Sequence, residues 1–182
     1  MNRDFVSYVS SLYAEQGAHC YGSEAVTQLE HALQCATLAE GEGASDLLIA
    51  ASLMHDLGHL LHNLGENVAH RGVHDRHEYR PIRMLRRHFG EAVLAPIRLH
   101  VEAKRYLCAV HPGYFDRLSS ASRLSLELQG GACTEKEAER FLAEPFAQDA
   151  LRLRAWDDRA KVSNQQTPDL PYFMSVLSRC AR

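Results

Sequence analysis

The sequence predicts an all-α fold, and three observations support that class. Apolar residues recur at spacings of three and four along most of the 182 residues, which is typical of amphipathic helices. A threonine followed three residues later by a glutamate, the capping-box pattern of a helix start, occurs at Thr27 and at Thr134. No segment alternates apolar and polar residues as a half-buried strand would. We therefore expect one helical bundle.

Three helices are predicted in the first third of the chain. The segment 18–26 carries glycine and shows no period, so it is predicted to be a loop. The run Leu47–Leu61 is apolar on nearly all sides, which predicts a helix at the centre of the bundle. Glycine, asparagine and histidine then predict a loop over 63–75. The three helices are expected at 4–16, 27–42 and 47–61.

Six further helices are predicted in the rest of the chain. Pro81 and Pro96 lie near the first turns of two of them, where proline is tolerated. The sequence His111-Pro112-Gly113 interrupts the helical pattern. The predicted helices cover 77–89, 91–108, 119–129, 134–143, 146–162 and 171–180.

The composition argues against several functional classes. Twenty basic and 23 acidic residues give a net charge of −3, which argues against charge-driven binding to nucleic acid. No apolar run approaches the roughly 18 residues of a membrane span, and the first residues do not resemble a secretory signal. The scattered cysteines predict reduced, packing thiols and a cytoplasmic protein. These cysteines are Cys20, Cys35, Cys108, Cys133 and Cys180.

The residues with the strongest chemical signal are the adjacent His55 and Asp56, which interrupt the apolar run 47–61. A charged carboxylate in such a setting must be paired or bound to a metal. Imidazole and carboxylate together suit zinc, iron, manganese or nickel. His59 follows His55 by four residues and is predicted to share its helix face.

Other histidines and one aspartate lie in similar apolar helical settings. A single histidine of this kind is more often a hydrogen-bonded core residue than a ligand. Several of them in one small bundle, together with the His-Asp pair, favour a metal site instead. These residues are His31, His77, His100 and Asp157.

The order of these candidates resembles the HD-domain superfamily. In that superfamily a lysine typically follows the distal aspartate by four residues, as Lys161 follows Asp157 here. The two additional histidines are similar to those of the dinuclear branch, which includes myo-inositol oxygenase. Longer blocks narrow the resemblance to mixed-valent diiron oxygenases of the PhnZ/TmpB type, which cleave phosphonates. The blocks are Tyr21–Glu24, Val26–Gln34, Ser119–Gly131 and Leu151–Lys161.

The resemblance implies a single HD domain over 1–182, with a metal-binding core at about 18–165. It implies a diiron dioxygenase with two Fe ions (Fe²⁺/Fe³⁺) and O2 as co-substrate. The implied reaction cleaves the C–P bond of 1-hydroxy-2-aminoethylphosphonate or an N-methylated analogue. The products would be phosphate and glycine or a glycine betaine-type product, and an upstream hydroxylase would be functionally linked.

Two irons need about six protein ligands with open positions left for substrate and O2. Four histidines and two aspartates supply that number. Asp56 is the expected bridge, because a carboxylate has two oxygens. The predicted metal ligands are His31, His55, Asp56, His77, His100 and Asp157.

The implied substrate carries opposite charges at its two ends. Lys104 and Arg154 lie four residues after and three residues before predicted ligands, so they share those helix faces and suit the phosphonate. By resemblance, Glu24 meets the ammonium group, and Tyr21 closes over the metals when substrate is absent. His59 is expected to contact the phosphonate or Tyr21. The remaining substrate contacts are expected from a polar stripe of Ser122, Ser125 and Gln129; Tyr21, Glu24, His59 and Lys104 are the predicted catalytic group.

Two alternatives remain at this stage. The same ligands could hold manganese or nickel and activate water, as in an HD phosphohydrolase acting on a nucleotide or a phosphomonoester. The chain could also be a catalytically silent module that binds a ligand or partner. O2 consumption distinguishes the first alternative from the oxygenase, and metal content distinguishes the second.

Overall fold

The computed structural model describes residues 2–61 and 68–182, and it describes side chains from Asp4 onward within those ranges. This part of the chain consists of helices and connecting turns, and its single β-bridge pairs Cys20 with Thr27. The prediction of an all-α fold is confirmed. The helices are α1 (Asn2–Gln16), α2 (Gln28–Gly41), α3 (Asp46–Met54), α4 (Leu57–Leu60), α5 (Ile82–Leu85), α6 (Glu91–Val110), α7 (Tyr114–Arg117), α8 (Ser120–Leu128), α9 (Glu135–Ala143), α10 (Ala147–Arg159) and α11 (Leu170–Cys180).

The apolar helix α3 lies at the centre of the bundle, where it contacts α2, α6, α10 and α11. Its residues from Leu48 to Met54 are all buried, so the helix needs no polar face. Trp156 on α10 is fully buried in the same core, and its indole nitrogen donates to Glu42 at 2.8 Å. The core thus joins the helices that carry the first and the last predicted metal ligands.

The two predicted capping boxes are confirmed, and Ser45 caps a third helix. Thr27 and Thr134 form complete capping boxes with Glu30 and Glu137, and the Ser45 hydroxyl accepts from the Leu48 amide. Each cap satisfies backbone N–H groups that a helix start leaves without an intrahelical partner.

The single helix predicted over 47–61 is wrong, because the structure breaks it at His55 and Asp56. Helix α3 ends at Met54, and α4 begins at Leu57 after Asp56 adopts φ −101° and ψ 11°. Side chains form hydrogen bonds to two backbone carbonyl groups in the last turn of α3. The His55 ring contacts Ser52 O, and the Tyr13 hydroxyl donates to Leu53 O. A carbonyl satisfied in this way needs no further helical turn.

The helix predicted over 77–89 is also wrong in most of its length. The structure has turns from His77 to Pro81 and helix only over Ile82–Leu85, so His77 lies in a turn and does not open a helix. The positive φ of 52° at Arg76 and the missing N–H of Pro81 both oppose a regular helix there. Of the predicted loop 63–75, residues 63–67 lie outside the described residues.

Among the described helices, none combines the length and the apolar character that crossing a bilayer requires.

Candidate metal centre

Four buried histidines present one ring nitrogen each to a fixed acceptor. In every case the acceptor faces Nδ1, so Nδ1 carries the hydrogen and Nε2 of the neutral ring carries the lone pair. Three of the acceptors are backbone carbonyls and one is a carboxylate. The contacts are His31 to Ala160 O at 2.8 Å, His55 to Ser52 O at 2.8 Å, His77 to Asp75 Oδ1 at 2.9 Å and His100 to Ile97 O at 2.7 Å.

The four Nε2 atoms surround the carboxylate of Asp56 in two pairs. His55 and His31 lie 3.3 and 3.6 Å from its Oδ2, and their Nε2 atoms are 3.3 Å apart. His77 and His100 lie 3.4 and 3.5 Å from its Oδ1, and their Nε2 atoms are 3.1 Å apart. Each carboxylate oxygen therefore faces its own pair of imidazoles.

This arrangement fits two cations. Both oxygens of Asp56 are buried, and within the described residues neither has a hydrogen-bond partner. Buried polar groups are normally satisfied, and lone pairs that converge on one point repel each other unless a cation lies between them. The donor set of imidazole nitrogen and carboxylate oxygen suits iron, zinc or manganese.

Two of the four histidines are neutral before a metal binds, whereas the Asp56 carboxylate raises the pKa of His55 against the effect of burial. Burial lowers the pKa of His31 to about 4 and holds that of His100 well below its usual value, so both rings are neutral at pH 7. Burial would also lower the pKa of His77, but the hydrogen bond to Asp75 and the Asp56 charge outweigh it and raise this pKa to about 9. A metal at His77 must therefore displace a proton.

The distal aspartate joins the His31 pair. Asp157 Oδ1 lies 3.4 Å from Nε2 of His31, and its other oxygen accepts from the Arg154 guanidinium at 2.6 Å. Burial raises the pKa of Asp157, but the positive charge of Arg154 outweighs it and holds this pKa well below its usual range. Asp157 is therefore a permanent carboxylate beside His31.

Arg154 was predicted to contact substrate, and the structure gives its guanidinium other partners. It donates to Asp157, to Asp158 and, at 3.1 Å, to the Tyr114 hydroxyl. These contacts orient the Asp157 carboxylate toward His31. Arg154 also lines the cavity described below, so a direct contact with substrate stays a prediction.

A carboxylate that the sequence analysis did not single out, Asp75, lies between two histidines. Its Oδ1 contacts Nδ1 of His77, and its Oδ2 lies 2.7 Å from Nδ1 of His59. The rings of His59 and His77 stack with centroids 4.0 Å apart, and Nε2 of His59 lies 3.9 Å from Asp56. The position of Asp75 two residues before the predicted ligand His77 could have indicated this contact. Asp75 was not singled out, because it lay in a segment predicted to be a loop.

Gly58 allows the break after α3 to pack against the His77 segment. A Cβ atom at Gly58 would lie 2.0 Å from the His77 carbonyl oxygen, which is far inside van der Waals contact. The backbone of α4 therefore reaches the second pair of histidines only because position 58 has no side chain.

A cavity of about 480 Å³ opens beside the histidines. Tyr21 forms part of its wall: its ring stacks on His31 with centroids 3.8 Å apart, and its hydroxyl donates to Asp157 at 3.5 Å. The sequence-predicted residues that line the cavity are Tyr21, Glu24, Asp56, His59, His77, His100, Lys104, Ser122, Ser125, Gln129, Arg154 and Asp157.

Lys104 is 3% exposed and projects from α6 toward the polar stripe of α8. Its ammonium group donates to the Ser125 hydroxyl at 2.8 Å and to the Ser122 carbonyl at 3.4 Å. Burial, and to a smaller extent the charge of Arg154, lower its pKa to about 7. The buried side-chain carbonyl of Gln129 on the same stripe has no hydrogen-bond partner among the described residues.

Glu24 was predicted to face a substrate ammonium group, and the structure pairs it with Lys161. The Lys161 ammonium lies 3.2 Å from Glu24 Oε1, and the Ser119 hydroxyl donates to the same oxygen. Lys161 also donates to the Ser122 hydroxyl at 3.0 Å. The sequence singled out Lys161 by its position four residues after Asp157. Its ion pair with Glu24 could not be predicted from a local pattern, because the two residues are more than a hundred positions apart.

The expectation for the cysteines was that they are reduced and serve packing. The described cysteines are all free thiols. Cys35 is fully buried, and its sulfur lies 3.7 Å from Nε2 of His31. Burial raises the pKa of this thiol, which favours the neutral form over a metal-binding thiolate.

Two curated proteins are similar to this chain over nearly its whole length. A hydroxymethylphosphonate dioxygenase from Gimesia maris is 44% identical over 176 residues, which are 96% of this chain and 87% of that protein. A [1-hydroxy-2-(trimethylamino)ethyl]phosphonate dioxygenase (glycine-betaine-forming) from Leisingera caerulea is 36% identical over 181 residues, 98% of this chain and 92% of that protein. No protein-family model matches the chain.

Proposed function

Because the chain belongs to the PhnZ-type phosphonate dioxygenases, we propose that it cleaves the C–P bond of a 1-hydroxyphosphonate, using O2 and two iron ions. The observation that carries this proposal is the double pairing of imidazoles around Asp56, beside a cavity that holds a buried lysine. The named relatives act on substrates that share a hydroxyl and a phosphonate on one carbon.

The reaction balances with O2 as the only co-substrate. A 1-hydroxyphosphonate dianion, R–CH(OH)–PO₃²⁻, and O2 give a carboxylate, R–COO⁻, together with HPO₄²⁻ and one proton. The C–P, C1–H and hydroxyl O–H bonds break. Carbon and phosphorus each gain one oxygen atom from O2, and the original C–O bond becomes part of the carboxylate. Carbon is oxidised and O2 is reduced, so the overall reaction requires no external reductant. A hydroxylase acting on the parent phosphonate would supply the substrate.

The two ions would be held by the groups that converge on Asp56. His31, His55 and Asp157 would hold one of them, and His77 and His100 the other, with Asp56 between the two groups. When bound, iron supplies the redox chemistry that lets O2 react with a C–H bond. The protein contributes fixed ligand orientations, because each ligand ring is anchored through Nδ1.

Lys104 would bind the phosphonate group. Its ammonium is buried, and within the described residues it forms no ion pair. A phosphonate dianion beside it would replace the hydration that burial removed, and charge-assisted hydrogen bonds of this kind are the strong ones. The Ser125 hydroxyl accepts from this ammonium and the Ser122 hydroxyl accepts from Lys161, and both hydroxyls could donate to a phosphonate oxygen.

Tyr21 and His59 would control access to the metals. Tyr21 lies over His31 and reaches Asp157, so in this conformation it covers the first pair of histidines. His59 is held by Asp75 with its Nε2 toward Asp56, where this ring nitrogen would contact a bound phosphonate. Closure of this kind excludes water from the reacting carbon.

The test is phosphate release by iron-loaded protein from hydroxymethylphosphonate and from 1-hydroxy-2-aminoethylphosphonate, with and without O2. We expect release only in O2, and labelled O2 should place one labelled oxygen in phosphate and one in the carboxylate. Asp56→Ala, which removes the bridging group, is the inactive control. Full turnover without O2 would instead identify a hydrolase, and release in neither condition would reject the proposed function.

A further inference from the structure

The Glu24 carboxylate is occupied within the protein itself. One of its oxygens receives both the Lys161 ammonium, at 3.2 Å, and the Ser119 hydroxyl. Both side chains of the ion pair are largely buried, with 14% of Glu24 and 12% of Lys161 exposed. An ion pair that is shielded from water holds more strongly than a surface pair, and separating it leaves two buried charges without partners.

Lys161 reaches this position because its backbone is held on both sides. The Ala160 carbonyl contacts His31, and Val162 exchanges two hydrogen bonds with the Gln34 side chain at 2.8 and 3.1 Å. The Ser163 hydroxyl then donates to the Ala25 carbonyl, next to Glu24. The segment after α10 is thereby attached to the loop that carries Glu24, and the ion pair joins two anchored segments.

The two lysines of the cavity therefore have different electrostatic roles. Among the described residues Lys104 donates only to serine oxygens, so no carboxylate is paired with its ammonium group. Lys161 lies on the other side of Ser122, where it donates to the hydroxyl, and its charge is balanced by Glu24. Lys104 is therefore available to bind an anion in the cavity. Glu24 is not equally available to a cation, because Lys161 already balances its charge.

Resting on the proposed function, we propose that Lys161 determines substrate choice by holding Glu24 in an ion pair, so that the chain prefers 1-hydroxyphosphonates without an amino group. An ammonium on the substrate gains from Glu24 only by separating it from Lys161 or by sharing it, and it then also faces the positive charge of Lys161. A nitrogen-free substrate uses Lys104 and leaves the pair undisturbed. Lys161 is a specificity-determining residue in this scheme and does not contact the reacting carbon.

The experiment compares wild type with Lys161→Met, a substitution of similar length without charge. The readout is the ratio of kcat/KM for 1-hydroxy-2-aminoethylphosphonate to that for hydroxymethylphosphonate. Wild type should favour hydroxymethylphosphonate, and Lys161→Met should raise the ratio by about tenfold or more, because it leaves Glu24 charged and unpaired. Lys104→Met is the matched control lysine: it should reduce both substrates by the same factor.

A double variant tests the route of the effect. If Lys161 acts by keeping Glu24 from the substrate ammonium group, the change that Lys161→Met causes in the kcat/KM ratio should disappear when Glu24→Gln is also present. Binding of the unreactive 2-aminoethylphosphonate and methylphosphonate can be measured by calorimetry without O2, independently of turnover. Lys161→Met should shift the ratio of these two dissociation constants toward the aminated compound, as it shifts the ratio of kcat/KM.

Three outcomes would overturn the proposal. An equal loss of both substrates in Lys161→Met would make Lys161 a phosphonate ligand, and an unchanged ratio would remove it from substrate choice. A ratio that still rises in the double variant would exclude Glu24 as the group concerned. Phosphate release from neither substrate by wild type would instead reject the proposed function and leave the calorimetric comparison as the remaining test.

Discussion

The imidazole rings of His59 and His77 stack with centroids 4.0 Å apart and share one carboxylate, because Asp75 contacts Nδ1 of both. One of these rings is a predicted metal ligand and the other is predicted to contact substrate. A single carboxylate therefore fixes the orientation of both, and groups that orient a ligating histidine usually matter almost as much as the ligand itself.

Asp75→Asn should weaken metal binding at the His77 pair by about 10- to 100-fold. An amide has one carbonyl oxygen, so it accepts from one histidine and presents N–H groups to the other. Chelator competition measures the affinity, and kcat/KM reports on His59. Asp116→Asn, an exposed carboxylate outside the cavity, is the matched control. Wild-type affinity in Asp75→Asn would show that backbone packing alone orients His77.

Single substitutions should remove the two metals separately. His31→Ala should lose the ion near Asp56 Oδ2, and His100→Ala the ion near Oδ1, so that each variant retains about one of two ions per chain. Asp56→Ala should lose both, since it removes the group between the two histidine pairs. Metal analysis of purified protein gives the stoichiometry. Loss of both ions in each histidine variant would mean that the sites fill only together.

Gly58→Ala should impair the metal centre although alanine favours a helix. Its Cβ would lie 2.0 Å from the His77 carbonyl, so α4 or the His77 turn must move. Gly41→Ala is the matched control, because nothing lies within 4 Å of a Cβ there. We expect weaker metal binding and a lower melting temperature for Gly58→Ala, and no loss of stability for Gly41→Ala. Equal behaviour of the two variants would contradict the close contact.

The dependence of kcat/KM on pH should include a decrease caused by deprotonation of Lys104. Its pKa is lowered to about 7 by burial, and the phosphonate requires the protonated form, so kcat/KM should fall as pH rises above about 7. The bound dianion favours the charged lysine, which should move the corresponding limb of kcat to higher pH. Lys104→Arg, which stays protonated, should lose the limb. A limb that persists in that variant would belong to another group.

The sequence was sufficient to predict the parts of the site that depend on local pattern. His55 and Asp56 stand out because polar residues interrupt an apolar run, and the capping boxes at Thr27 and Thr134 follow from residues three apart. The helix break at Asp56 was missed for the same reason: periodicity describes the apolar run, whereas the break depends on Tyr13 and its contact with Leu53, 40 residues away.

The contacts that the sequence did not predict join residues that only the tertiary structure brings together. Glu24 and Lys161, like Asp75 and His59, are ordinary charged residues in sequence, and neither contact has a fixed spacing. The expectation that Glu24 is available to an ammonium group followed from resemblance, and resemblance does not show which charges are already neutralised within a fold.

The break between α3 and α4 has a consequence for attempts to stabilise this protein. Two carbonyls at the end of α3, those of Ser52 and Leu53, accept from His55 and from Tyr13. Substitutions that strengthen helix propensity across residues 55–58 would favour main-chain donors for those carbonyls, and His55 would lose the acceptor that fixes its ring. Thermostability selected at this position would thus lower the affinity of His55 for a metal, so directed evolution for heat resistance should find its beneficial substitutions elsewhere in the bundle.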